Sequence, residues 1–247
     1  MGVTETVRGI VDTARISAPT LLDAALGRLT TERSDARLDW WSRKLLRDAD
    51  VDLEVRGREH AEGTSPFIVM SNHQSLYDIP ALFCAVPGRL RMVAKEELFR
   101  VPVWGPAMRA AGFIRIDRRD RSQAVASLRA SASMLKEGTR IWIAPEGTRS
   151  WDGRLNRFKS GGFRLALETQ TPILPVAIDG TRKVLPAKGF VVRRHQQVVV
   201  TLLPPIDPMP YGTERRKELM RDVRAAIAVA LGQDPTAEGQ GVFEAEP

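Results

Sequence analysis

The chain has 247 residues, enough to bury a full hydrophobic core as one domain with a small helical appendage. With 43% hydrophobic and 27% charged residues it reads as globular, and its net charge of +7 points to an anionic partner: nucleic acid, a lipid surface or a phosphorylated substrate. The single Cys84 excludes an intramolecular disulfide framework, and the longest stretch free of Lys, Arg, Asp and Glu, Gly63 to Tyr77, is too short for a bilayer-spanning helix of about 20 residues.

The first fifty residues carry two short amphipathic helical patterns, "VRGIVDTARIS" and "TLLDAALGRL", separated by Pro19. A third follows in "DARLDWWSRKLLRDADV", with paired Trp40 and Trp41. An amphipathic helix bearing Arg and Trp can lie in a membrane interface, or it can pack on the body of the protein. The two readings are compatible. The start of the chain lacks the basic and apolar regions of a signal peptide.

From Pro66 onward, short β-type runs alternate with helical periods, the pattern of an α/β fold with a central, mostly parallel sheet flanked by helices. Strands are expected at "PFIVM", "RMVA", "FIRI", "RIWIA", "ILPVAI" and "QQVVVTLL". Helices are expected over Ser75 to Val86, Glu96 to Ala111, Arg121 to Lys136, Gly161 to Thr169, and Thr213 to Leu231 with Thr213 as cap. The expected organisation is an N-terminal amphipathic helical segment (1–50), an α/β domain that carries the chemistry (51–232) and a flexible tail (233–247). Between Arg89 and Arg129 ten Arg/Lys face four acids, a concentrated basic run.

"SNHQSLYD" places His73 and Asp78 five positions apart, just after the first expected strand. On a continuous helix these side chains are about 140° apart and cannot meet. They meet if His73 occupies the turn after the strand and Asp78 the first turn of the next helix, with Ser71, Asn72 or Ser75 available as a cap. A carboxylate on one imidazole nitrogen fixes the tautomer and leaves the other nitrogen as a base. Three histidines and fifteen aspartates make one such pair an unremarkable accident, so the motif needs company.

The company lies downstream in "GFIRIDR" (112–118), "APEGTRS" (144–150), "FKSG" (158–161) and "LPVAI" (174–178). In order and spacing these blocks resemble those of the glycerophospholipid acyltransferase family, typified by 1-acylglycerol-3-phosphate acyltransferases, over roughly residues 54–206. "NHQSLYD" and "PEGTRS" are the specific blocks. The resemblance implies that His73 takes the proton of the acceptor hydroxyl, with Asp78 as its orienting partner. It implies that Arg118, Glu146, Gly147 and Arg149 form the acceptor site, with Arg118 and Arg149 on the phosphate and Lys159 sharing that role. Arginine suits this task because its planar donors match phosphate oxygens in pairs. Glu146 is unusual beside a phosphate, and either acceptor hydroxyls or the arginines themselves are its expected partners.

The family implies transfer of a fatty acyl group from acyl-CoA or acyl-carrier protein to a lysophospholipid, most directly 1-acylglycerol 3-phosphate giving phosphatidate, with no cofactor beyond the thioester co-substrate. Relatives of the family also acylate other lysolipids and glycolipids. A different class of reading is a non-catalytic basic module gripping lipid or nucleic-acid phosphates. Charge binding alone needs no His/Asp pair, and the basic run lacks interleaved aromatics and any RNA-binding signature, so no nucleic acid partner is expected. An anionic membrane surface is expected instead, with the enzyme peripheral or monotopic on the cytoplasmic face of the cell membrane. Cys84 sits on an apolar helical face as a small core residue, and neither His60 nor His195 has metal-ligand spacing, so no metal is expected.

Overall fold

A computed structural model of the chain describes residues 2–63, 65–117 and 121–237. The strands are β1 (Asp52–Arg56), β2 (Ile68–Ser71), β3 (Leu90–Lys95), β4 (Ile114–Ile116), β5 (Arg140–Ile143), β6 (Ile173–Asp179) and β7 (Gln197–Leu202). They form one sheet in the order β1-β7-β6-β2-β5-β3-β4. The five strands from β6 to β4 run parallel, β7 is antiparallel to β6, and β1 is parallel to β7. The helices are α1 (Val3–Ala25), α2 (Thr31–Asp48), α3 (Asp78–Ala85), α4 (Trp104–Ala110), α5 (Arg121–Ala130), α6 (Ala132–Lys136), α7 (Gly161–Thr169), α8 (Thr181–Val184) and α9 (Arg216–Ala230).

Alternation along the strands sends side chains to two separate cores. Ile68, Met70, Ile141, Ile143, Ile173 and Ala177 join Phe163 and Leu165 of α7 and Leu219, Val223 and Ile227 of α9. Val69, Trp142, Leu174, Val176 and Ile178 join Leu82 and Ala85 of α3 and Leu46 of α2 on the other face. The crossover from β2 to β3 therefore leaves on one face through α3, and that from β5 to β6 leaves on the other through α7. β2 and β5 are neighbours whose connections depart in opposite directions, which opens a crevice at their carboxyl ends.

Several elements differ from the expectation. β1 was not anticipated, because three of its five residues are charged; it survives as an edge strand, where charge is tolerated. The N-terminal patterns form the single helix α1 with Pro19 inside it. Expected helix 96–111 breaks into a 3-10 turn (Glu96–Arg100) and α4, separated by a γ-turn in which Val103 has φ 66° and Trp104 N–H donates to the Pro102 carbonyl at 2.7 Å. Expected helix 121–136 divides at Ser131 into α5 and α6. The last helix begins at Arg216, and no side chain caps it, so Thr213 does not serve as its cap.

α1 and α2 form an antiparallel pair joined by Trp41 Nε1 donating to Thr13 Oγ1 at 3.0 Å and by the Arg37–Asp23 ion pair. The basic run does not form one patch. Arg91 is buried against Asp35, with Arg89 beside it, at the amino end of β3, whereas Lys95 and Arg100 stand at the carboxyl end. Of the expected tail, Gln233 is fastened to the 153–155 loop by two hydrogen bonds of 2.9 Å, and 238–247 lie outside the described residues.

Candidate active site

β2 ends at Ser71, and the chain turns across the crevice before α3 begins at Asp78. The turn is held by side chains that imitate sheet pairing. Asn72 Nδ2 donates to the Ile178 carbonyl and Asn72 Oδ1 accepts from the Ile178 N–H, both at 2.8 Å, so the amide extends the β2–β6 ladder by one more rung. Gln74 Nε2 donates to the same carbonyl. Ser75 Oγ donates to the Leu185 carbonyl at 2.7 Å and accepts from Tyr77 N–H.

Within this turn His73 Nδ1 lies 2.7 Å from Asp78 Oδ2. The same oxygen accepts Gln74 N–H at 2.8 Å and Ser75 N–H at 3.0 Å, and Oδ1 accepts the Thr181 hydroxyl from the start of α8. Asp78, the first residue of α3, thus ties the preceding turn to the helix. Its side chain is 0% exposed, and every acceptor direction that matters is occupied. With a fully bonded carboxylate on Nδ1, the imidazole is held in the tautomer that carries its proton there and leaves Nε2 as an acceptor. The His73 side chain is 18% exposed, and Trp142 supports the ring edge-on at 6.0 Å.

Glu146 is buried, and both of its oxygens are taken by main-chain donors: Oε1 by His73 N–H at 2.7 Å and Oε2 by Asn156 N–H at 2.9 Å. Ser150 N–H adds a bond of 2.7 Å to the His73 carbonyl. The PEGTRS loop therefore grips the histidine turn by its backbone on both sides. Burial pushes the Glu146 carboxyl up to about 7, against the opposing pull of its two N–H donors. Gly147 adopts φ +75°, and a Cβ there would lie 2.8 Å from Lys159 Nζ, so the absence of a side chain lets the lysine lie across the loop. Arg149 is half-buried near Asp78; desolvation lowers the guanidinium from its usual value, and among the described residues no hydrogen bond or ion pair ties it down. The result is a partly exposed histidine on a buried aspartate, beside a cationic loop at the carboxyl edge of the sheet. That combination can remove a proton from a hydroxyl while binding an anionic group on the same molecule.

A sequence model of the family described as Acyltransferase matches residues 52–179. The chain belongs to the acyltransferase family. Among individual relatives, the 1-acyl-sn-glycerol-3-phosphate acyltransferase alpha of Mus musculus is 34% identical over 157 residues, 63% of this chain and 55% of that protein. The chain thus spans little more than half the length of the mouse relative. The 1-acyl-sn-glycerol-3-phosphate acyltransferase of Salmonella typhimurium is 32% identical over 184 residues, 74% of each chain. The crystal structure of the 1-acyl-sn-glycerophosphate (LPA) acyltransferase PlsC from Thermotoga maritima superposes with a TM-score of 0.78 at 27% identity, covering 94% of this chain and 95% of that one.

His73 lies in the turn after β2, Asp78 at the start of α3, and Glu146, Gly147, Arg149 and Lys159 on the loop between β5 and α7. Arg118 lies outside the described residues. The residues that sequence reasoning missed are the ones that hold the site: Asn72 and Gln74 on β6, and Thr181 on Asp78. Their signal was weak. Asn72 and Gln74 flank the histidine inside its own motif, but Thr181 follows "AIDG" as an ordinary helix-start threonine. Among the described residues no group of three or more His, Cys, Asp or Glu side chains is arranged to hold a metal ion. Burial raises the Cys84 thiol to about 11, which leaves it unreactive at neutral pH.

Proposed function

We propose that this protein transfers a fatty acyl group from acyl-CoA or acyl-carrier protein to the free hydroxyl of 1-acylglycerol 3-phosphate, giving phosphatidate. The observation that carries the reading is the 2.7 Å bond from His73 Nδ1 to a fully buried Asp78, on a histidine whose side chain is partly exposed. In this mechanism Nε2 removes the hydroxyl proton as the oxygen attacks the thioester carbon. The C–O bond forms, the C–S bond breaks, and the departing thiolate takes the proton back from the imidazolium. No enzyme-bound acyl group is required: Ser75 is committed to Leu185 and Tyr77. Arg149 and Lys159, together with Arg118, hold the acceptor phosphate, and Glu146 keeps the two loops in register by its bonds to His73 and Asn156.

A lysophospholipid presents its hydroxyl at a membrane surface, so the enzyme must dock there, on the cytoplasmic face in our reading. Among the described residues no helix is long and apolar enough to cross a membrane. α1 supports docking by its inverted burial: Glu5, Asp12, Ser17 and Thr20 are buried, while Val3, Val7, Ile10, Val11 and Leu22 are exposed. A helix that packs its polar side inward and its valines outward suits an interface. The reading is tested by incubating the purified protein with a panel of lysolipids and acyl donors and identifying products by mass. Phosphatidate from 1-acylglycerol 3-phosphate supports it, and product only from lysolipids without a phosphate monoester contradicts it.

A further inference from the structure

The segment from α8 to β7 begins at the site, where Thr181 and Leu185 hold the histidine turn, and then projects away from it. Its sequence, "TRKVLPAKGFVVRRHQ" from Thr181 to Gln196, carries Arg182, Lys183, Lys188, Arg193 and Arg194 and no acidic residue. At its tip Phe190 is 85% exposed, more than any other large hydrophobic side chain among the described residues, and Val191 beside it is 47% exposed.

The base of the loop is firmly seated. Val192 is buried in the α3-side core, and Arg193 N–H donates to the Val184 carbonyl at 2.8 Å. The loop is also stitched to the first turns of α1: Thr6 Oγ1 donates to the Phe190 carbonyl at 3.0 Å and accepts from Val192 N–H at 3.1 Å. Gly2 packs so closely that a Cβ there would lie 2.6 Å from Val191 Cγ1. Phe190 and Val191 therefore adjoin the outward valines of α1. Both lie on the active-site edge of the sheet, because β6 ends there at Asp179 and antiparallel β7 begins there at Gln197. Some of the cationic charge is internal, since Arg194 approaches Glu5 and Asp50, but Lys183 and Arg193 are exposed.

We propose that the Phe190–Val191 tip is a second lipid-insertion element, which together with the start of α1 seats the active-site edge on an anionic bilayer. The proposal rests on the docking reading given above for α1. A projecting apolar tip flanked by Lys and Arg fits a bilayer, whose acyl boundary takes the ring while its phosphates meet the cations. The acceptor and its product are themselves anionic lipids, so the membrane that supplies substrate carries the complementary charge.

The test uses the full chain in flotation with phosphatidylcholine vesicles, with and without phosphatidylglycerol, beside activity on a detergent-dispersed acceptor. Phe190→Asp is expected to weaken binding to the anionic vesicles about tenfold or more, from loss of a buried phenyl ring, and to leave detergent activity within about twofold. In a Cys84→Ala background, a polarity-sensitive dye on Phe190→Cys is expected to blue-shift on vesicles and to be quenched by brominated lipid. Unchanged vesicle binding by Phe190→Asp overturns the proposal while leaving α1 docking intact if Val11→Asp does lose binding. Loss of detergent activity overturns it by assigning the loop to the site. A concentration-dependent dimer abolished by Phe190→Asp overturns it in favour of a second copy. Absence of vesicle binding by the unaltered chain sinks the docking reading itself, and the proposal with it.

Discussion

Thr181→Val removes one hydroxyl and keeps the shape of the side chain. In the folded protein that hydroxyl is the partner of Asp78 Oδ1, whereas Oδ2 is shared by His73, Gln74 and Ser75. The Asp78 side chain is 0% exposed, so no water replaces the missing donor. Loss of a hydrogen bond to a buried charged group costs about 1.5–3 kcal/mol. For a domain of this size that corresponds to a fall in Tm of roughly 4–10 °C. Because the Oδ2 partners remain, the imidazole keeps its place, and kcat is expected to fall about tenfold or less with KM for the acceptor unchanged. Thr181→Ser, which restores the hydroxyl, should recover most of both losses. Thermal unfolding alongside steady-state transfer to a detergent-dispersed acceptor measures the two effects. A Thr181→Val protein as stable and as active as the unaltered one would refute the idea that α8 anchors the catalytic carboxylate.

Glu146→Gln keeps one acceptor where two N–H groups need one each, so it should destabilise the protein by about 1–3 kcal/mol and lower kcat by loosening the histidine turn. Its pH signature is separate: the folded-state carboxyl is raised to about 7, so its ionisation penalty is absent at acid pH and grows as pH rises. Relative to Glu146→Gln, the unaltered protein should therefore lose roughly 3 kcal/mol of stability between about pH 4.5 and 7, and parallel stability-pH curves would contradict this. Arg149→Ala should lower kcat/KM for a phosphate-bearing acceptor by about one to two decades without a matching change in donor KM, as read by varying each substrate in turn; a loss confined to the donor would exchange the two sites. Val7→Asp combined with Val11→Asp should reduce binding to anionic vesicles while sparing detergent activity, since both side chains point outward from α1.

The strands that flank the crevice were legible because each is a short, mostly apolar run rich in β-branched residues, and each is buried on both faces. β1 was not, since "DLEVR" carries the polarity of a solvent-facing edge. Pro19 read as a boundary, but packing against α2 carries α1 straight through it, with the Thr20 hydroxyl bonded back to the Ile16 carbonyl at 2.7 Å. The γ-turn at Val103 had no local signal at all, because a β-branched residue rarely adopts positive φ.

At the site, the spacing of His73 and Asp78 was compatible with a meeting across a turn-to-helix junction, and the downstream blocks singled the pair out. Glu146 was located but not its partners. A glutamate followed by Gly-Thr-Arg reads as a partner for acceptor hydroxyls or for the arginines, whereas its two oxygens face main-chain N–H groups contributed by residues 73 and 156. Such contacts arise only when distant loops meet, and the sequence near Glu146 carries no trace of them.

The central claim is that His73 is the base for acyl transfer, and the most direct measurement is the turnover of purified His73→Ala with 1-acylglycerol 3-phosphate and an acyl thioester. The account predicts a fall of about 10²–10⁴ in kcat with unchanged thermal unfolding and retained acceptor binding. Transfer near the unaltered rate by a folded His73→Ala protein would contradict it.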